Sequence, residues 1–171
     1  MTKNRIKRKK AGIIWLIFTL VWMVVIFSFS AREADESAAM SHSVGKMIGR
    51  LVIPEYRSWS EDKQGQFAEK VDFPVRKCAH ASEYAVLGIL ILGTAYSFSE
   101  DRGRKIILLC WCVGTAYAGT DESHQLFVPG RSCRFRDVCI DSAGVLTGLI
   151  LFSLIKHQIA KHSEKKKSCK N

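Results

Sequence analysis

Proline is scarce in this chain, with 3 residues in 171, and there is no Ser/Gly-rich or Gln-rich tract and no internal repeat. Those absences exclude a disordered or linker-built protein. The six cysteines contain no CxxC pair, so they announce no metal or redox motif. Cys110 and Cys112 fall in an apolar run and Cys169 in a basic tail, which leaves Cys78, Cys133 and Cys139 as candidates for one disulfide. Charge is missing too, but only locally: Ala11 to Ser30 has none. The overall 47% hydrophobic and 25% charged residues would suit a soluble domain, yet a soluble core spreads its apolar residues more evenly. The average describes a mixture of membrane and water-facing pieces. At this length there is room for one compact unit and no second enzyme domain.

The net charge of +10, from 26 Lys and Arg against 16 Asp and Glu, raises the question of nucleic acid. Its placement answers that question. Lys3, Arg5, Lys7, Arg8, Lys9 and Lys10 crowd residues 1–10, and Lys156, Lys161, Lys165, Lys166, Lys167 and Lys170 crowd residues 156–171. Both tracts adjoin long apolar runs, where basic residues act as cytoplasmic flanks attracted to anionic lipid. Membrane lipid is therefore the expected partner, and nucleic acid is not.

Four apolar segments are long enough to cross a hydrocarbon layer of ~30 Å at ~1.5 Å per residue. They lie at about 11–30, 77–98, 106–125 and 137–155, within a membrane domain spanning 11–155. The first resembles a signal peptide in its basic flank. It exceeds the usual apolar core of one, however, and contains two Trp, which favours an uncleaved anchor. Placing residues 1–10, 97–105 and 156–171 in the cytoplasm puts 15 basic and 3 acidic side chains inside, a net +12. That leaves 11 basic and 13 acidic elsewhere, a net −2. This asymmetry predicts an even number of spans with both termini cytoplasmic. The expected fold is all-α, a four-transmembrane-helix bundle.

Between the first two spans lies an external segment, residues 31–75. Met40, Val44, Met47, Ile48 and Leu51 recur at helical spacing as one apolar stripe, and Ser58 with Glu61 forms a potential capping box for a second short helix carrying Phe67 and Val71 inward. The segment is expected to cover the mouth of the bundle, as a lid or as a gate for a partner. In the last span, Gly144 and Gly148 are spaced as a small-xxx-small packing face.

The unusual chemistry gathers toward the outer ends of the spans. Lys77, His80, Glu83 and Tyr84 follow spacings of three, three and one, which suggests one helical face. Asp121, Glu122 and Gln125 end the third span, and Asp137 and Asp141 open the fourth, four apart. Ionisable groups cost ~2.5–3.5 kcal/mol at the centre of a membrane helix, so they should converge, with Lys77 and Arg131 as counter-charges. Phe127–Val128–Pro129–Gly130–Arg131 reads as a tight turn, Pro presetting its first position and Gly permitting positive φ at the next. That turn holds Arg131, a planar fork suited to carboxylate or phosphate, over the cluster.

Three readings of the cluster remain open at this point: a buried ion-pair network locking helices in register, an outward-facing anion site using Lys77 and Arg131, or a metal site drawn from His80, Glu83, Asp121, Glu122 and His124. The residues name no cofactor. A proton-coupled transporter is disfavoured, because no ionisable residue continues into the inner halves of the spans.

Three ordered blocks carry a family resemblance: RKCAHASEYAVLG (Arg76–Gly88), TDESHQLFVPGR (Thr120–Arg131) and DVCIDSAGVLTG (Asp137–Gly148). Together they resemble the motifs of the VanZ-like bacterial membrane proteins over about the C-terminal two-thirds of the chain. The first span and external loop agree with that family only in layout. The resemblance places Lys77, His80, Glu83 and Tyr84 on the second-helix positions. Asp121, Glu122, Gln125, Pro129, Gly130 and Arg131 fall on the acidic-glutamine and PGR positions, with Asp137 and Gly144 on the last block. Asp141 departs from it, the family often having Asn there, and Ala81 stands where an aromatic is common. The family is named for a member that raises resistance to teicoplanin, which implies work at the outer envelope of a bacterial cell.

Two functions follow as expectations. One is a binding protein that engages a lipid-linked or lipidated envelope molecule, with Lys77, Tyr84, Glu122, Gln125, Arg131 and Asp137 as ligand contacts. The other is a membrane-embedded hydrolase or transferase with Glu83 or Asp121 as general base and His80 as acid or metal ligand.

Overall fold

A computed structural model describes residues 3–100 and 102–168. Among the described residues there are five α-helices: α1 (Lys3–Ser30), α2 (Ala34–Val52), α3 (Glu61–Phe98), α4 (Arg104–His124) and α5 (Phe135–Ser168). No strand occurs among the described residues. Three of the helices, over Arg5–Ser30, Glu61–Phe98 and Phe135–Ser163, are long and apolar enough to cross a membrane. Helix α4 falls outside that set, because the Asp121–Glu122 pair near its end dilutes an otherwise apolar run. Along α1, Ile13, Ile17, Phe18, Val21 and Val24 are all exposed. An apolar belt of that length is costly in water and ordinary against lipid, which marks a membrane protein.

The expected break between a short external helix and the second span is not there. Helix α3 runs unbroken for 38 residues through Pro74, although proline removes one hydrogen bond of the helix ladder and crowds the preceding turn. Contacts on both sides of that point hold the helix. Asp72 accepts from Arg76 one turn later and from Ser41 of α2, and Gly45 of α2 lies close against Ala68 and Val71. The start of α3 also differs from expectation: Ser60 occupies the N-cap position, while Ser58 donates instead to the Glu55 carbonyl at 2.7 Å.

Helix α2 packs through its small residues and not through its apolar stripe. The residues it buries are Ser41, Gly45 and Gly49, a run of small side chains at four-residue spacing that lets its backbone approach α3 and the Tyr56 ring. The apolar stripe lies on the other side and is largely turned out, with Met47 56% and Leu51 76% exposed. Close backbone approach decides the orientation, as it does between membrane helices, where apolar side chains gain nothing by leaving lipid.

Helix α3 is the hub, packing against each of the other four helices. Its principal seam is with α5, where the expected small-residue face is present. A side chain at Gly144 would meet the Ala81 carbonyl oxygen at 2.5 Å, one at Gly148 would strike the Ala85 carbonyl, and one at Gly88 of α3 would strike that of Val145. Around this seam Ile26, Leu87, Leu92, Val145 and Leu149 are completely buried. Polar side chains stitch the helices without charge: Trp22 Nε1 donates to the Glu83 carbonyl at 2.9 Å, Tyr117 to that of Met23 at 2.6 Å, and the Thr115 and Ser142 hydroxyls meet at 2.8 Å.

Candidate functional site

The turn between α4 and α5 forms as its residues dictate. The Arg131 N–H donates to the Val128 carbonyl at 3.1 Å, and Gly130 between them has φ +72°, the left-handed geometry that a type II turn asks of glycine. Space is as restrictive as φ, since a Cβ at Gly130 would stand 2.8 Å from that of Ala34. The turn also clamps the α1–α2 corner. The Pro129 carbonyl accepts from the Ala34 N–H at 3.3 Å, and Arg131 Nε donates to the Arg32 carbonyl at 3.2 Å. Arg131 is thereby fixed by one edge of its guanidinium, and burial lowers its pKa from the usual arginine value.

Beside it lies a polar cavity of about 230 Å³. Helix α3 supplies Phe73, Arg76, Lys77 and His80; the end of α4 supplies Glu122 and Gln125; the turn supplies Arg131 and Arg134; and α5 supplies Asp137 and Asp141. One ion pair crosses the cluster, Lys77 Nζ to Asp137 Oδ1 at 2.6 Å. Glu122 accepts from the Arg134 backbone N–H at 2.9 Å. Among the described residues Arg131 forms no ion pair. A closed salt-bridged knot is therefore not what forms; the groups surround a space.

A second cavity of about 110 Å³ adjoins the first. Phe29, Met40, Val44 and Val75 make it largely apolar, and Glu83 also lines it. Arg76, His80 and Arg131 belong to the walls of both cavities. Met40 and Val44 begin the outward-facing stripe of α2, so this slot continues onto an exposed apolar surface.

The single face expected for Lys77, His80, Glu83 and Tyr84 splits. Steps of three residues lag a helical turn by about 60°, so two of them carry Glu83 about 120° from Lys77. Lys77 and His80 reach the polar cavity, Glu83 faces the slot, and Tyr84 is completely buried. Asp121 and Glu122 are neighbours in sequence and separate for the same reason. Asp121 turns into the bundle, where its Oδ2 accepts from Ser30 at 2.6 Å and from Tyr84 at 3.3 Å. It lines neither cavity, and its other oxygen has no partner among the described residues. The expected cation for Asp121 is thus replaced by two hydroxyls. Asp137 and Asp141, four apart, do share the polar cavity.

The donors proposed for a metal do not assemble: among the described residues no three His, Cys, Asp or Glu side chains group as a metal ion requires. His124 packs at a tilt against Phe27, with ring centroids 4.3 Å apart, and lines neither cavity. The suggested disulfide does not form either, since Cys78, Cys133 and Cys139 are all free and exposed. Cys169 lies outside the described residues. Arg76, Arg134 and Ser30 were not anticipated. Arg76 was readable as the i+4 partner of Asp72, whereas Ser30 sits at the end of an apolar run with nothing to distinguish it.

The Lys77–Asp137 pair joins α3 to α5 with side chains only 22% and 17% exposed. A double-mutant cycle of Lys77→Met and Asp137→Asn, followed by thermal unfolding in detergent, should give a coupling of about 1–3 kcal/mol. Additive effects would mean that the two charges do not stabilise each other.

Fold and site together define a helical membrane protein with an ionisable cavity at one end of its bundle. The chain belongs to the VanZ/LLP1 family, whose sequence model matches residues 15–156. The match takes in the first apolar helix and the α2 region as well as the three motif blocks, more of the chain than those blocks alone carried. No curated protein and no solved structure matches it.

Proposed function

We propose that this VanZ/LLP1 member acts at the outer face of the bacterial cell membrane by engaging a lipid-linked or lipidated envelope molecule, and that it contributes in this way to teicoplanin-type glycopeptide resistance. The observation that carries the reading is the shared wall of Arg76, His80 and Arg131 between a polar cavity and an apolar slot. An amphiphile has the matching shape: an anionic group for the arginines and an acyl chain for Phe29, Met40, Val44 and the stripe beyond them. Expression in a sensitive host should lower susceptibility to a lipidated glycopeptide and leave unchanged the response to the same molecule stripped of its acyl chain. Equal protection against both would remove the slot from the argument.

The proposal includes four spans, with α4 crossing alongside the three longer apolar helices, and both termini in the cytoplasm. Support comes from the +12 against −2 partition of charge. With the native cysteines replaced, an impermeant thiol reagent applied to intact cells should label a cysteine introduced at Ser60 and spare one introduced at Ser163. The opposite pattern would invert the orientation.

A hydrolase or transferase is the second reading. It rests on His80 and Glu83 lining one slot, with His80 Nδ1 buried and without a hydrogen-bond partner among the described residues. Asp121 is the weaker base in that scheme, because it does not reach either cavity.

A further inference from the structure

We propose a second ligand site at the opposite end of the bundle, a cavity that holds the headgroup of an anionic phospholipid. The space is about 600 Å³ and lies between the start of α1, the end of α3, the start of α4 and the middle of α5. Its wall carries Arg8, Arg102, Lys156 and His157 and, among the described residues, no acidic side chain. Ser97 on α3 and Ser153 on α5 are small residues in its wall, Gly93 makes room for the Trp15 ring, and Trp15, Tyr96 and Phe152 form an aromatic floor.

The cations are arranged by that floor. The Arg102 guanidinium lies 4.3 Å from the Tyr96 ring centroid and the Lys156 ammonium 5.5 Å from that of Phe152. Trp15 and Tyr96 in turn pack on Phe152 at 5.8 and 6.0 Å. Charged groups held against aromatic faces are already ordered, and the side turned away from the ring can meet an anion. Arg8 is partly engaged, donating to Glu100 at 3.2 Å and to the Ser99 carbonyl at 2.9 Å. Arg102 and Lys156 have no carboxylate partner among the described residues.

The level of the site selects a lipid. Arg8 lies three residues before the charge-free run begins at Ala11, and Lys156 immediately follows the apolar stretch of α5. The cations therefore stand where headgroup phosphates lie, and the aromatic floor continues into the depth of the acyl chains. Basic pockets between membrane helices hold acidic headgroups in this way. A free phosphate would satisfy the cations and leave the floor unmet. The leaflet occupied follows from the proposed orientation, which makes it the inner one; the site itself does not depend on that orientation or on the outer cavity.

The test uses delipidated full-length protein in detergent, with phosphatidylglycerol or phosphatidylcholine added and retained lipid counted by native mass spectrometry. The parent should retain phosphatidylglycerol preferentially. Arg102→Gln with Lys156→Gln should lower that retention on the order of tenfold and leave phosphatidylcholine unchanged. Removing the same charge outside the cavity, by Lys161→Gln with Lys166→Gln, should preserve the preference. Ser153→Leu fills the cavity without touching charge and should also abolish the preference, which keeps the test decisive should the charge variant fold poorly. A parent that does not discriminate, cavity variants that retain phosphatidylglycerol normally, or tail variants that lose it equally would overturn the site. Complete displacement by inorganic phosphate would overturn its assignment to lipid.

Discussion

Exchanging Arg131 for lysine is expected to abolish the envelope phenotype while membrane abundance and melting stay near those of the parent. The guanidinium works through its two edges. Its Nε is anchored on the Arg32 carbonyl, and the residue belongs to the wall shared by the polar cavity and the slot. Lysine keeps the charge and loses both the anchor and the planar fork. The cost to the fold is limited to about one hydrogen bond, ~1 kcal/mol, because Arg131 leaves no ion-pair partner orphaned among the described residues. Glu83→Gln completes the experiment. Lys77 pairs with Asp137 on α5, so this exchange strands no cation. Loss of phenotype in Arg131→Lys with retention in Glu83→Gln supports binding, and the converse supports catalysis at Glu83. Phenotype lost only in proportion to protein lost, in both variants, would reduce the cluster to structural glue.

Gly148→Leu should have the largest effect on the fold. The new side chain would start against the Ala85 carbonyl oxygen, and a carbonyl inside a helix cannot rotate aside as a flexible side chain can. Helix α5 would have to leave α3 along a seam where Gly144 and Gly88 also bring the backbones together and where Leu87, Val145 and Leu149 are completely buried. Overpacking of a core costs typically 1–3 kcal/mol; where only backbone can yield, about 3 kcal/mol or more is expected. The same seam carries Lys77 and Asp137, so cavity and fold should fail together, seen as reduced abundance and earlier thermal unfolding in detergent. Gly119→Ala is the control, because nothing lies within 4 Å of a Cβ there. An equal loss in both variants would mean that helical glycines in general, and not this seam, set the stability.

Residue spacing located parts of the site and misplaced others for one reason. Sequence distance along a helix fixes angle, and angle decides facing only when the axis of the neighbouring helix is known. Asp137 and Asp141, four apart, kept a common face, and both reach the cavity. The three-residue steps from Lys77 to Glu83 drifted around α3 and delivered Glu83 to another cavity. In α2 the apolar period marks a helix but not the face it packs by, because Ser41, Gly45 and Gly49 permit a closer approach to α3 than the methionine and leucine side chains do.

The sequence by itself determined that this is an all-helical chain with long uncharged runs between basic flanks, that Pro129 and Gly130 make a tight turn, and that Gly144 and Gly148 form a packing face. Each of these rests on a local property: hydropathy over a span, φ at a single residue, or volume at four-residue spacing. Only the tertiary structure decided that α3 continues through Pro74, that Asp121 is held by Ser30 and Tyr84 rather than by a cation, and that Arg76, His80 and Arg131 stand between two cavities. These depend on pairs such as Ser30 and Asp121, 91 residues apart. No local rule relates residues at that distance until the helices carrying them have packed.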